Sequence, residues 1–140
     1  MATYIVDASV VIERLIKGPY TSNARTLFNR LNATDRLVVP EFCLLERTNV
    51  LWKQVRFQGM PKDQAEVALK NLRALPLQRV PVKALLNTAM DIGLTHQLAI
   101  YDSVYIALAS RTKHPLITID RPQERAAIAV NVELKSITDF

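Results

Sequence analysis

The sequence predicts a single α/β domain built on a mainly parallel sheet, and three observations point to it. Short runs of β-branched and aromatic residues alternate with longer stretches that carry apolar residues at three- and four-residue spacings. The first short run, Tyr4-Ile5-Val6, has no polar alternation, as expected of a strand covered on both faces. The length of 140 residues suits one domain, and no repeat, low-complexity segment or linker rich in Gly and Ser divides residues 1–140.

In chain order, Tyr4 to Val6 reads as a strand that runs straight into Asp7. Ser9 or a neighbour starts a short helix through Val10, Val11, Leu15 and Ile16, which Gly18-Pro19 ends. Thr21 or Ser22 caps a second helix with Ala24, Leu27, Phe28 and Leu31 on one side. Arg36 to Val39 is a second strand, stopped by Pro40. The helical spacing of Leu44, Leu45, Thr48, Leu51, Trp52 and Val55 runs from Glu41 to about Phe57, where Gly59-Met60-Pro61 breaks it.

A helix from about Lys62 to Leu72 and a third strand from Leu77 to Val80 follow. The next helix covers about Val82 to Ile92 and ends at Gly93. After a connection from Leu94 to Tyr101, an apolar helix runs from Asp102 to about Thr112. Leu116 to Ile119 has strong strand propensity. Asp120-Arg121-Pro122 turns into a short helix, and Val130 to Leu134 gives the last strand.

Composition narrows the function classes. The residues are 49% hydrophobic and 22% charged, an ordinary globular balance, and no uncharged apolar run reaches the ~18 residues of a membrane span. The start resembles no secretory leader. One cysteine, Cys43, excludes an internal disulfide and reads as a small buried hydrophobe, so a reducing cytoplasm is expected. A net charge of +5 favours an anionic partner such as nucleic acid. Three isolated glycines rule out a phosphate-binding glycine loop, and His96 and His114 lack a Ser or Cys partner for nucleophilic catalysis.

Four acids fall where chemistry is done. Asp7 and Asp120 each end a strand, Asp102 begins an apolar helix, and Glu46 lies inside a mostly apolar one with Asn49 one turn on. Each also has a structural explanation: Asp102 as an N-cap, Asp120 with Gln123 as a capping box, Glu46 as a partner for Arg47 or Lys53. Parallel topology would bring the ends of the first and fourth strands to one edge of the sheet. Carboxylates converging there repel one another unless a cation is present, and hard ions such as Mg²⁺ or Mn²⁺ take oxygen ligands of this kind.

The segments Ile5-Val6-Asp7-Ala8-Ser9, Pro40 with Glu46-Arg47-Thr48-Asn49-Val50-Leu51, Tyr101-Asp102-Ser103-Val104-Tyr105-Ile106-Ala107-Leu108-Ala109 and Leu116-Ile117-Thr118-Ile119-Asp120 together resemble the ordered signatures of PIN domains, above all the VapC-type ribonuclease toxins of prokaryotic toxin–antitoxin pairs. The resemblance implies a three-layer α/β/α fold with a parallel sheet of about five strands and an acidic pocket for Mg²⁺ or Mn²⁺. Carried over by position, Asp7, Glu46, Asp102 and Asp120 hold the metal and activate water, with Ser9, Asn49 and Thr118 as polar support. It further implies endonucleolytic cleavage of RNA, inhibition by a small antitoxin in the cleft, and a homodimer. For the dimer, Leu27, Phe28 and Leu31 or Trp52 and Phe57 are the candidate contacts.

Arg14, Lys17, Lys53, Arg56, Arg111, Lys113, Arg121 and Arg125 are candidates to grip an RNA backbone. Two rivals stand beside the ribonuclease. One is a catalytically idle PIN-like module that binds RNA or protein, against which the presence of all four acids argues. The other is a receiver-type signalling domain, which needs paired acids after the first strand and a late lysine at a strand end, and the chain has neither.

Overall fold

The computed structural model describes residues 2–32 and 34–140. Strand β1 (Thr3–Val6) leads into α1 (Ala8–Leu15), and α2 (Thr21–Asn29) returns the chain to β2 (Arg36–Pro40). Helices α3 (Cys43–Phe57) and α4 (Lys62–Ala74) form the next crossover, to β3 (Gln78–Val80). A 3-10 turn at Lys83–Leu85 opens α5 (Leu86–His96), followed by α6 (Ile100–Thr112), β4 (Leu116–Ile117) and α7 (Arg121–Ala129).

The strands pair in the order β3-β2-β1-β4, every pairing parallel. Alternate residues of the strands face opposite layers, as the two-residue strand period requires. Ile5, Val38 and Leu116 pack with Ala89 and Ile92 of α5, with α6 and with Ala126 and Ala127 of α7. Val6, Leu37, Val39 and Ile117 pack on the other side with Val10 and Val11 of α1, Leu27 and Phe28 of α2, Cys43 of α3 and Leu72 of α4. The unbroken apolar run of β1 is thus covered on both faces, and the predicted α/β/α layering is observed. Helix α6 is buried from Ser103 to Ala109, which explains its apolar composition all round.

Among the described residues the sheet has four strands, one fewer than predicted. The difference lies at the carboxyl end, where Val130 to Leu134 makes only the isolated bridge Leu116↔Leu134. Helix α7 runs on to Ala129 and Asn131 takes a φ of 62°, so too little extended chain is left to form a ladder. Strand β4 stops at Ile117 because Ser9 Oγ, not a neighbouring strand, accepts the amide of Ile119 at 3.2 Å.

Two helix ends differ from the prediction. Helix α5 passes through Gly93, which is buried where a Cβ would lie 3.0 Å from Leu98 O and 3.2 Å from Ser103 Oγ. That glycine permits the close approach of α6; the helix ends instead at Gln97, whose φ is 57°, so His96 is helical. Helix α6 starts at Ile100, with Ala99 as an N-cap that makes no side-chain cap bond. Asp102 is therefore a first-turn residue and not a cap. Of the predicted dimer contacts, Leu27 and Phe28 are core residues, whereas Trp52 and Phe57 are exposed and meet edge to face at 5.8 Å. No described helix is long and apolar enough to cross a membrane.

Leu27 is fully buried between α1, α2 and the sheet. Leu27→Ala is expected to lower unfolding free energy by about 2–5 kcal/mol in urea denaturation, while Trp52→Ala, at an exposed site, changes it by less than about 0.5 kcal/mol.

Candidate active site

Strands β1 and β4 lie side by side with Val6 opposite Ile117, and the amide of Asp7 donates to Ile117 O at 2.9 Å. The chain runs from β1 outward through β2 to β3 and only then returns to β1's other side, so this is the point where strand order reverses. The residues just past these two strand ends, Asp7 and Thr118, meet there. Thr118 Oγ1 lies 3.2 Å from Asp7 Oδ2, which also accepts the amide of Ser9 at 3.1 Å and so caps α1. Asp7 is only 3% exposed, and its Oδ1 is buried with no hydrogen-bond partner. A buried carboxylate oxygen left bare costs free energy unless another species satisfies it.

Around this pair three further acids arrive from three other helices. Glu46 lies in the first turn of α3, Asp102 in the first turn of α6, and Asp120 at the N-cap of α7, where its Oδ2 accepts the amide of Gln123 at 3.0 Å. Burial raises the Glu46 carboxyl above its usual range; Arg47 and a hydrogen bond from Tyr105 pull it back, and Asp7 and Asp102 push it further up. Burial likewise raises Asp102, reinforced by Asp7 and Asp120 and opposed by Arg47. Glu46 and Asp102 therefore both feel Asp7, and Asp102 feels Asp120 as well. Among the described residues, however, no three acid or histidine side chains stand close enough to enclose an ion by themselves.

Ser9 and Thr118 are drawn into the pocket, and Ser9 Oγ lies 3.4 Å from Thr118 Oγ1. Asn49 is not: it is exposed, and lines a cavity of about 510 Å³ with Glu46, Arg47, Lys53, Phe42 and Tyr101. The alternative pairing of Glu46 with Arg47 or Lys53 does not form at ion-pair distance among the described residues. Arg47 instead donates from Nη1 to Ala8 O at 3.3 Å, and its Nε is buried without a partner.

Tyr105, Gln123 and Arg47 carry roles the sequence did not reveal. Tyr105 is fully buried and donates its hydroxyl to Glu46 Oε1 at 3.1 Å; burial holds the phenol far above its usual pKa, so it keeps its proton. Its place one turn after Asp102 on the same helix was the available signal. Gln123 does only half of what a capping box predicts. Its amide caps onto Asp120, but its side chain turns inward, taking the Thr118 hydroxyl at 2.7 Å and donating to Asp102 O at 3.0 Å. Burial lifts the Cys43 thiol to about 11, so it stays protonated and apolar in character, as its sequence context predicts.

The pattern of the PIN domain family matches residues 4–129 of the chain. The chain is 26% identical over 121 residues to Ribonuclease VapC3 of Pyrobaculum aerophilum, covering 84% of this chain and 88% of that one. It is 28% identical over 116 residues to Ribonuclease VapC12 of Mycobacterium tuberculosis, covering 83% and 85%. Among solved structures it is similar to VapBC2 of Rickettsia felis bound to a DNA fragment of its promoter, with a TM-score of 0.70 at 14% identity over 96% of this chain and 98% of that one.

Two outcomes follow from the pocket's chemistry. Glu46 and Asp102 titrate above their unfolded values, so the folded chain holds these protons longer than the unfolded one. Their contribution to stability is then full below about pH 4 and is lost as pH rises through the raised values. In EDTA, Glu46→Gln is expected to raise the melting temperature at neutral pH and to flatten its fall with pH, as read by circular dichroism. Thr118→Val leaves the Asp120 amide and Gln123 Oε1 without their partner. It is expected to cost about 1–3 kcal/mol in urea denaturation.

Proposed function

The chain belongs to the PIN-domain family, and from that premise we propose that it is a metal-dependent endoribonuclease, the toxin component of a toxin–antitoxin pair, working in the cytoplasm. The observation that carries the reading is the bare buried oxygen of Asp7 at the β1–β4 edge, with Glu46 and Asp102 near enough for its charge to raise them and Asp120 near enough to raise Asp102. The residues fit a hard divalent cation. Its donors would be carboxylate oxygens, and Mg²⁺ takes only one or two carboxylates, water completing its shell, so an open arrangement of acids suits it. In this reading Asp7, Glu46, Asp102 and Asp120 would hold Mg²⁺ or Mn²⁺, one or two of them directly and the others through the ion's water shell. When bound, such an ion supplies the charge that eases deprotonation of an attacking water and stabilises an in-line phosphoryl displacement.

The chain's own groups do the positioning. Tyr105 fixes one oxygen of Glu46 and leaves the other free. The Ser9 amide fixes Asp7 Oδ2 in the same way, while Thr118 Oγ1, 3.2 Å from that oxygen, gives its single proton to Gln123 Oε1 by the shorter 2.7 Å contact. Gln123 ties the Asp102 backbone to Thr118, so the acids of α6 and β1 share one hydrogen-bonded frame. Arg47 offsets part of the negative charge from within. Lys53 beside Glu46, and Arg121 and Arg125 beside Asp120, offer cations to a phosphate backbone. The similarity to ribonucleases of Pyrobaculum aerophilum and Mycobacterium tuberculosis supports RNA as the substrate, and the likeness to VapBC2 supports an antitoxin partner. The exposed Trp52 and Phe57 are the surface this reading offers to a second copy of the chain.

The test is cleavage of a mixed RNA substrate by the purified chain in Mg²⁺, Mn²⁺ or EDTA. Cutting is expected with either ion, none in EDTA, and a loss of at least about a hundredfold in Asp7→Asn and Asp102→Asn. Mn²⁺ at about a hundred times its Kd is also expected to stabilise the parent by about 2.7 kcal/mol, with a much smaller gain in Asp7→Asn. Equal cutting by parent and variants would place the activity elsewhere. No cutting by any of them would favour a module that binds RNA or protein without cleaving it.

A further inference from the structure

Just beyond Asp120 the chain forms a cavity of about 340 Å³, lined by Tyr20, Ile119, Arg121, Glu124 and Arg125. We infer that this cavity is a nucleotide subsite, taking the base of an RNA strand on Tyr20 and Ile119 and its phosphate between Arg121 and Arg125. The inference rests on the ribonuclease reading of the neighbouring acids and says where the strand runs from them.

Four observations carry it. Arg121 and Arg125 stand one turn apart on α7, both exposed, and neither lies within ion-pair distance of an acid among the described residues. Two unpaired guanidinia at that spacing suit a phosphate, which they can grip with paired donors. Tyr20 supplies a half-buried aromatic wall and Ile119 an apolar floor, the elements on which unpaired bases stack. Glu124, the cavity's one acid, disfavours phosphate on its own side, so the charged end belongs with the arginines.

The aromatic wall is also held in place before any ligand arrives. Glu13 Oε2 accepts the amide of Tyr20 at 3.2 Å and the hydroxyl of Thr21 at 3.3 Å. Gly18 leaves room for that carboxylate, which would stand 2.5 Å from a Cβ there. A second cavity of about 310 Å³ shares Tyr20, Ile119 and Glu124 with the first and is also lined by Thr118. The Thr118 hydroxyl is 3.2 Å from Asp7 Oδ2. The two cavities thus share a wall, and the second is lined by the side chain that touches the pocket's most buried acid.

The test uses the full chain carrying Asp7→Asn, so that RNA is bound without being cut, and a fluorescein-labelled oligoribonucleotide of mixed sequence followed by anisotropy. Arg121→Ala and Arg125→Ala are expected to weaken binding severalfold and to reduce the slope of log K against log salt by about 0.7 for each phosphate no longer gripped. Tyr20→Leu is expected to weaken binding by about 5- to 150-fold with the slope unchanged, because stacking releases no counterions. Melting temperatures measured beside each variant separate these effects from unfolding. Parent-like affinity in all three variants would overturn the subsite while leaving the ribonuclease reading intact. Absence of RNA binding in the Asp7→Asn chain itself would overturn both. Displacement of the RNA by polyglutamate as readily as by unlabelled RNA would mean the cavity answers to negative charge alone, and would overturn the subsite as well.

Discussion

The parallel pairing of β1 with β4 is the constraint on which the rest of this molecule depends. It is a short contact, with Ile5 opposite Leu116 and Val6 opposite Ile117. Yet it joins the first strand of the chain to the last, across more than a hundred residues of intervening helices. Because side chains alternate along a strand, a slip of one residue would send Val6 and Ile117 into the wrong layer. The two apolar layers therefore fix the register, and the register fixes that Asp7 and Thr118 emerge side by side. The polar gathering at the sheet edge is in this sense a by-product of core packing.

Holding several acids together is a problem the fold solves with neutral groups more than with ion pairs. Tyr105 brings a hydroxyl to Glu46, Ser9 its backbone amide to Asp7, Thr118 its hydroxyl oxygen to the Asp120 amide, and Gln123 its side-chain amide to the Asp102 backbone. Such groups orient a carboxylate without cancelling its charge. Arg47 tempers the repulsion, but its guanidinium hydrogen-bonds a backbone carbonyl and closes no ion pair with the acids. Negative charge is thereby kept at the edge of a chain whose net charge is +5.

Much of this was legible in the sequence, and the reasons for the exceptions are physical. Layering and helix order follow from apolar spacing, which is a local property, and so the β1 run and the apolar middle of α6 announced their burial. The acids at strand ends were visible for the same reason, since the strand ends were. The ends of α5 and α6 were not. Gly93 looks like a stop from its neighbours alone, but its function is set by Leu98 and Ser103, which come against it only in the folded state. The fifth strand failed because a residue with left-handed backbone, Asn131, consumed the chain it needed. Tyr105 and Gln123 were hidden for a different reason. In sequence one is an aromatic in an apolar helix and the other a helix-start residue, and only their partners, Glu46 and Asp102, reveal what they do.

Asp7 is at once the pocket's most buried acid and the cap of α1. Asparagine caps a helix about as well as aspartate, and it carries no charge to repel Glu46 and Asp102. A single replacement of oxygen by nitrogen would thus remove the most buried charge of the pocket while keeping the cap of α1. For a lineage carrying this chain, the route to a copy without that charge is short, and on the ribonuclease reading the product would be inert while keeping every outer surface of the parent. Such a copy would still compete for whatever binds those surfaces, acting as a decoy where a truncated or unfolded chain would merely vanish.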